Sequence, residues 1–275
     1  MATPTPAEQA LRDGDPQRAL KLLQDQIRSA PADAKLRVFL FQLLSVLGQW
    51  DRALNQLTVA GELDASTLAM VQTYREAIQC ERLRDDVFRG KRVPLLFGEP
   101  QAWIALLIEA MLREGQGAFD DAQKLRDQAF DQAPASSGQI DGKAFAWLAD
   151  ADMRLGPVLE AVVNGRYYWV PMAHLAKVTL EAPVDLRDCV WTAAQLEFTN
   201  GGESVALIPT RYCGTDLSQP PLALARLTEW TETRPGLFAG VGQRVLTSDV
   251  GDFGLLDIRS IVFDPVDAVV DAPDA

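Results

Sequence analysis

Seven residues, Gly14-Asp15-Pro16-Gln17-Arg18-Ala19-Leu20, recur 34 residues later as Gly48-Gln49-Trp50-Asp51-Arg52-Ala53-Leu54. That offset is the tetratricopeptide period, and it restricts this region of the chain to paired helices stacked side by side. A weaker third copy is Gly117-Ala118-Phe119-Asp120-Asp121-Ala122. Ala19 and Ala122 are each followed 12 residues later by a proline, Pro31 and Pro134. The small alanine lets two helices approach, and the proline ends the second of them. Residues 65–90 do not fit the repeat and read as one long helix, Ser66 to Phe88.

Local signals support the helical reading. Thr5-Pro6-Ala7-Glu8 combines a capping threonine, a proline where a missing N–H costs nothing, and the glutamate of a capping box. Leu36, Leu40, Leu43 and Leu47 share one helical face. A further helix is expected from Gln101 to Arg113, with Trp103, Leu106, Leu107 and Ala110 along one side. Stacked helical hairpins leave a concave groove whose usual occupant is a peptide or a helix.

Pro134-Ala135-Ser136-Ser137-Gly138 is a polar joint rich in helix breakers, and the charge balance changes across it. Residues 1–138 carry a net charge of -3 and residues 139–275 a net of -9, out of -12 for the chain. The expected organisation is a TPR-like all-α helical domain over residues 1–138, a smaller α+β, strand-rich domain over 139–263, and a disordered acidic tail over 264–275. The strand-rich domain is expected to hold one or two helices, one of them from Met153 or Pro157 to Val163, ended by Asn164-Gly165. Strands are expected over Arg166–Val170, Ala176–Glu181, Gln195–Thr199, Ser204–Ile208, Arg244–Leu246 and Leu255–Val262. Asn200-Gly201-Gly202 is a hairpin turn signal. A small mixed sheet or barrel accommodates them.

The same features exclude many chemistries. An acidic chain lacks the clustered basic face that nucleic acid requires. The most apolar run, Ala102 to Leu112, is interrupted by Glu109 and is too short to span a bilayer. The N-terminus has no basic start and no apolar core, so no signal peptide is expected. The three cysteines, Cys80, Cys189 and Cys213, form no CxxC pair and suggest a reduced, cytoplasmic setting. With one histidine, His174, no Ser-His-Asp set and no patterned zinc site can be built without it. Gly142-Lys143 lacks the surroundings of a phosphate-binding loop, and no GxGxxG opens a strand–helix unit.

Two clusters stand out as candidate sites. Asp150-Ala151-Asp152 offers two carboxylates at i and i+2 that could hold a divalent cation, but Arg154 stands where a calcium loop needs an oxygen ligand. Structural ion pairing is the preferred reading of this cluster; a metal-dependent enzyme using Asp150 and Asp152 is the alternative. Arg166, Tyr167, Tyr168 and Trp169 alternate if they form a strand, with Arg166 and Tyr168 on one face and Tyr167 and Trp169 on the other. Such residues serve equally as interface anchors or as core and rim of a small β-domain.

Several ordered segments resemble the ImpE/TagJ family of type VI secretion accessory proteins. They are Phe145 to Pro157, Gly165-Arg166-Tyr167-Tyr168-Trp169-Val170-Pro171, Leu186-Arg187-Asp188 with Trp191, Ile208-Pro209-Thr210-Arg211-Tyr212, Thr228-Glu229-Trp230 and Gly242-Gln243-Arg244. The match extends through Leu125-Arg126 and Ala133-Pro134. Met153 and Cys213 are small departures from the family pattern. The resemblance implies a non-enzymatic adaptor without cofactors or a metal. Its implied partners are an N-terminal helix of the small sheath subunit, TssB, and a ClpV-like AAA+ unfoldase that disassembles the contracted sheath. The family carries over no site motif, so Trp147, Asp150, Asp152, Arg154, Arg166, Tyr168, Trp169, Arg187 and Trp191 are proposed as partner-binding residues on physical grounds alone.

Overall fold

A computed structural model describes residues 4–265 of the 275. Three helical hairpins carry the three repeat copies. They are α1 (Pro6–Arg12) with α2 (Pro16–Ser29), α3 (Ala34–Val46) with α4 (Trp50–Leu63), and α6 (Ala102–Gly115) with α7 (Phe119–Gln132). The long helix between them, α5 (Leu68–Phe88), starts after a 3-10 turn, Ala65–Thr67. The Thr5 and Glu8 capping box forms as its residues require. The repeat glycines are the turns inside the hairpins. Gly14, Gly48 and Gly117 all sit at positive φ, +81°, +66° and +79°, where a side chain is disfavoured. Among the described residues no helix is long and apolar enough to cross a membrane.

A two-residue strand, β1 (Leu95–Leu96), interrupts the helices. From residue 138 the chain is mainly strand. It runs through β2 (Gly138–Ile140), β3 (Lys143–Phe145), β4 (Leu148–Asp150), β5 (Val158–Val163), β6 (Arg166–Pro171), β7 (Leu175–Leu180), β8 (Trp191–Phe198) and β9 (Glu203–Pro209). After a short helix, α8 (Pro220–Ala223), come β10 (Thr228–Arg234), β11 (Leu237–Gly242), β12 (Val245–Ser248), β13 (Gly251–Gly254) and β14 (Ser260–Phe263). Nine strands form one sheet in the order β1-β6-β5-β9-β8-β7-β14-β2-β3; β13-β12-β4 and β10-β11 form two smaller ones. The expected hairpin at Asn200-Gly201-Gly202 joins β8 to β9 in antiparallel register.

The expected helix ending at Val163 is a strand. Val158–Val163 is β5, buried at every position, because the helices cover one sheet face and the smaller strands the other. A strand buried on both faces loses its polar alternation and reads like a buried helix segment. Asn164-Gly165 is therefore no helix stop. Both residues take positive φ, +48° and +71°, and close the β5–β6 hairpin. The expected strand over Leu255–Val262 forms only at Ser260–Phe263. Two further strands, β2 and β3, are joined by Asp141-Gly142, both again at positive φ. The acidic tail lies outside the described residues from position 266. Within the described residues, Asp264 is tied to Ser137 by its amide and its carboxylate.

One apolar cluster runs across the junction between helices and sheet. Val158, Val162, Tyr167, Trp169, Trp191 and Leu207 of the sheet pack with α1–α6. The alternate residues Leu159, Ala161, Val163 and Val170 face a second cluster on the far side of the sheet. Gly48 is a point of docking between the two halves: a Cβ there would meet the Leu217 side chain at 2.5 Å. Gly142 has a similar φ, +80°, but open space around it. Gly48→Ala is expected to cost more than the ~1–2 kcal/mol of a left-handed alanine, and Gly142→Ala only that much. Urea unfolding of both variants checks this; equal losses would mean that Leu217 yields freely.

Candidate functional site

Asp150, Asp152, Trp169 and Trp191, singled out in the sequence, lie at or beside the seam where α5 crosses the sheet. At its centre is Glu160 of β5, fully buried. Arg84 of α5 donates to its two carboxylate oxygens from Nε (2.6 Å) and Nη2 (3.0 Å). Arg244, just before β12, donates to it as well, and so does the Tyr167 hydroxyl. Trp169 completes the chain by donating its indole N–H to Tyr167 at 2.8 Å. Arg84 also reaches the Arg211 carbonyl and the Glu81 carboxylate, and Glu81 accepts the Trp191 indole N–H at 2.9 Å. A charge removed from water needs partners of this quality, or its desolvation outweighs the attraction.

Asp150 and Asp152 belong to the same network. Arg244 donates to Asp150, whose other oxygen accepts the Asp152 amide at 2.9 Å. Asp152 binds the Arg154 guanidinium with both oxygens and accepts the Gly240 amide at 3.1 Å, which fixes β11. Arg154 lies over the Phe88 ring at 4.7 Å. Both carboxylates are thus engaged by arginines and backbone amides. This geometry lends the metal-enzyme reading no support. No cluster of three or more His, Cys, Asp or Glu suited to a metal ion occurs among the described residues. His174 sits against the Phe97 carbonyl at 3.0 Å, away from this network.

The acids of this site titrate in opposite directions. Burial alone would raise the Glu160 carboxyl, but the adjacent Arg84 and Arg244 charges override it and hold it at about 2. Asp150 is pushed up to about 6 by burial, only partly offset by Arg244. Burial lowers Arg211 to about 10.

The candidate partner-binding residues divide by exposure. Asp150, Asp152, Trp169 and Trp191 are buried inside the protein, so they offer a partner no surface. Their role is internal: the Trp191 ring packs at a tilt between Tyr74 and Trp50, and Trp169 lies against Phe88. Arg154 is mostly buried, and half-buried Arg187 covers Tyr74 and pairs with Asp185 at 2.8 Å. Arg166 is exposed and Tyr168 is half-buried on the opposite sheet face, edge-on to Phe97. Trp147 is 40% exposed and walls a separate apolar hollow with Phe130, Pro134 and Met153. The sequence reading missed Glu160, Arg84, Arg211 and Arg244. Arg211 and Arg244 lay inside segments quoted for the family resemblance, which was the available signal.

A second device follows the repeat itself. Arg226 donates to the Leu11 carbonyl at the end of α1, and Arg211 donates to the Ser45 and Val46 carbonyls at the end of α3. Leu11 and Ser45 are one repeat apart. Each arginine adds a charged donor to carbonyls of a helix's last turn, beside the Gly14 and Gly48 amides that Leu11 and Ser45 already accept, and places positive charge where the helix dipole favours it. The strand-rich half thus holds the repeat at two successive helix ends. Beside them lies a cavity of about 770 Å³ walled by α1–α3 and residues 184–189. Leu36, Phe39 and Leu186 line it, and Val184 at its edge is 86% exposed.

Glu160 is bound more tightly by arginine in the fold than its ordinary 4.5 allows, so its contribution to stability is complete above about pH 4.5 and is lost as pH falls toward 2. Asp150 acts in the opposite sense: its stability contribution is complete below its ordinary 3.8 and is lost as pH rises through 6. Glu160→Gln leaves two buried arginines short of a carboxylate and is expected to cost about 3–5 kcal/mol. It should also flatten the acid limb of the stability curve between pH 4.5 and 2. Urea midpoints across that range check both; a variant with an unchanged acid limb would remove Glu160 as its source.

The comparisons with known proteins agree with this architecture. Residues 142–262 match the family model described as ImpE protein, and residues 10–77 match a tetratricopeptide repeat model. The chain is 54% identical over 263 residues to the type VI secretion system accessory component TagJ of Pseudomonas aeruginosa strain PAO1, covering 95% of this chain and 92% of that protein. The crystal structure of a Vibrio parahaemolyticus protein superposes with a TM-score of 0.86 at 23% identity, covering 94% of this chain and 98% of that one. This last likeness bears on the fold.

Proposed function

This chain belongs to the ImpE family, and from that premise we propose that it is a non-enzymatic adaptor of a type VI secretion system that captures a helix of the small sheath subunit. The Pseudomonas aeruginosa relative is an accessory component of such a system. The observation that carries the finer reading is the cavity beside the held helix ends of the repeat. It lies between α1–α3 and residues 184–189 of the second half, and it presents Leu36, Phe39, Leu186 and Val184. An amphipathic helix lays apolar residues one turn apart into such a groove. On this reading the bound sheath subunit is then offered to a ClpV-type AAA+ unfoldase, and the site of action is the cytoplasm. The network around Glu160 holds the two halves in the register that shapes the groove.

The test is calorimetry between the protein and a peptide of the N-terminal helix of the cognate sheath subunit. One-to-one binding with a negative heat-capacity change is expected. Val184→Asp, at an exposed position, should weaken binding by about tenfold or more, since a buried unpaired charge costs well over 1.4 kcal/mol. Val205→Asp, at a 76% exposed position on β9, should leave binding unchanged. A well-folded protein that does not bind the peptide would end the sheath-capture reading; binding insensitive to Val184→Asp would move it to another surface.

A further inference from the structure

The two-stranded ribbon β10–β11 leaves one strand edge without a partner. On its inner side β11 is tied to the rest of the protein. The Phe238 carbonyl accepts the Met153 amide at 3.2 Å, the Gly242 carbonyl accepts the Tyr212 amide at 2.9 Å, and the Gly240 amide donates to Asp152 at 3.1 Å. β10 lies outside it, with every residue from Glu229 to Arg234 exposed. The Gln243 amide donates to the Leu227 carbonyl at 2.9 Å, and that bond sets the phase of the ladder. The odd-numbered Glu229 and Thr231 bond to β11, so the even-numbered Thr228, Trp230 and Glu232 turn their N–H and C=O groups outward. These groups meet no backbone partner among the described residues. The ladder is regular over Thr228–Glu232 and breaks at a bulge before Arg234. Trp230 sits at the middle of that span, 43% exposed, against the Tyr212 ring.

We infer that this edge pairs with the same edge of a second copy of the chain, antiparallel about a two-fold axis through Trp230. An exposed strand edge is a template for another strand. The side chains of β10 favour its own copy. In that register Trp230 faces Trp230 of the second copy, Thr228 faces Glu232, and Glu229 faces Thr231. The central pair is aromatic on aromatic, and no like charges stand directly opposite, which is the pattern that stabilises neighbouring strands. The backbone agrees: the residues this register bonds, Trp230 with its copy and Thr228 with Glu232, are the three that turn outward. A register centred on Thr231 would run into the bulge, and one centred on Glu232 would set two glutamates face to face. Two-fold pairing uses up the free edge of each copy, and the inner edge of each ribbon is already engaged, so association stops at the dimer. No residue of β10 lines the repeat cavity, so the sheath-capture reading and this one stand or fall separately.

Sedimentation equilibrium of the full chain reads the association. At about 0.15 M salt the Debye length of about 8 Å screens the net charge of -12 on each copy, while groups on adjacent strands still interact. A reversible dimer is expected. Thr231→Lys, at an exposed position, sets a lysine opposite Glu229 of the other copy on both sides of the axis. It should tighten the dimer about fivefold, the scale of two cross-strand charge pairs. Thr231→Glu sets like charges there and should weaken the dimer about fivefold. Neither substitution touches the backbone ladder to β11, so both variants are expected to keep the wild-type circular dichroism. A chain that remains monomeric at high micromolar concentration would overturn the inference. So would a dimer whose affinity moves the same way in both variants, in reverse, or in neither.

Discussion

The structure turns on one buried carboxylate. Glu160 lies in a strand covered on both faces, and its charge is held by guanidinium groups from two directions, Arg84 from the helical layer and Arg244 from the strands. An apolar residue there would allow the layers to slide, since hydrophobic contact is non-directional. A buried carboxylate tolerates few arrangements, because losing either arginine leaves charge unpaired at a cost of several kcal/mol. The neighbours follow from this constraint. Tyr167 and Trp169 are aligned by hydrogen bonds that end on Glu160. Asp150 shares Arg244 with it, and Asp152 extends the network to β11.

The two arginine caps transmit the repeat to the second half of the chain. Arg226 and Arg211 come from a region without the 34-residue period, yet they meet equivalent carbonyls of α1 and α3. The repeat thus acts twice, first in stacking its own helices and then in offering a regular series of helix ends to be capped. Helix ends held by the chain's own second half are more rigid, which lowers the ordering cost for a partner that binds beside them. That is the physical case for the proposed adaptor reading, in which recognition is confined to one end of the repeat.

Much of this architecture is legible in the sequence wherever the signal is local. The helices of the first half follow from leucine spacing, capping residues and glycine turns. The β8–β9 hairpin follows from Asn200-Gly201-Gly202, and the alternation of Arg166 to Trp169 correctly separates Tyr167 and Trp169 from Arg166 and Tyr168. The misread element is β5. Its run Val158-Leu159-Glu160-Ala161-Val162-Val163 has no polar face because both of its faces are covered, and the Asn-Gly that closes its hairpin also fits a helix end. The candidate site was legible as a neighbourhood but not by exposure. Trp169 and Trp191 have the composition of an interface, and the interface they form is between the two halves of one chain, while Asp150 and Asp152 pair with arginines inside the second half.

The sequence alone determined the repeat, its turns, the change from helix to strand near residue 138, and the family. Each of these rests on neighbours a few residues apart or on ordered motifs. Tertiary structure alone decided the rest. Arg84 finds Glu160 across 76 residues, and Arg244 finds it across 84. Nothing in a local pattern distinguishes a glutamate bound for solvent from one that will accept two arginines. Burial fixes that choice, because only when both layers close over the site does water leave and the pairing of every charge become compulsory.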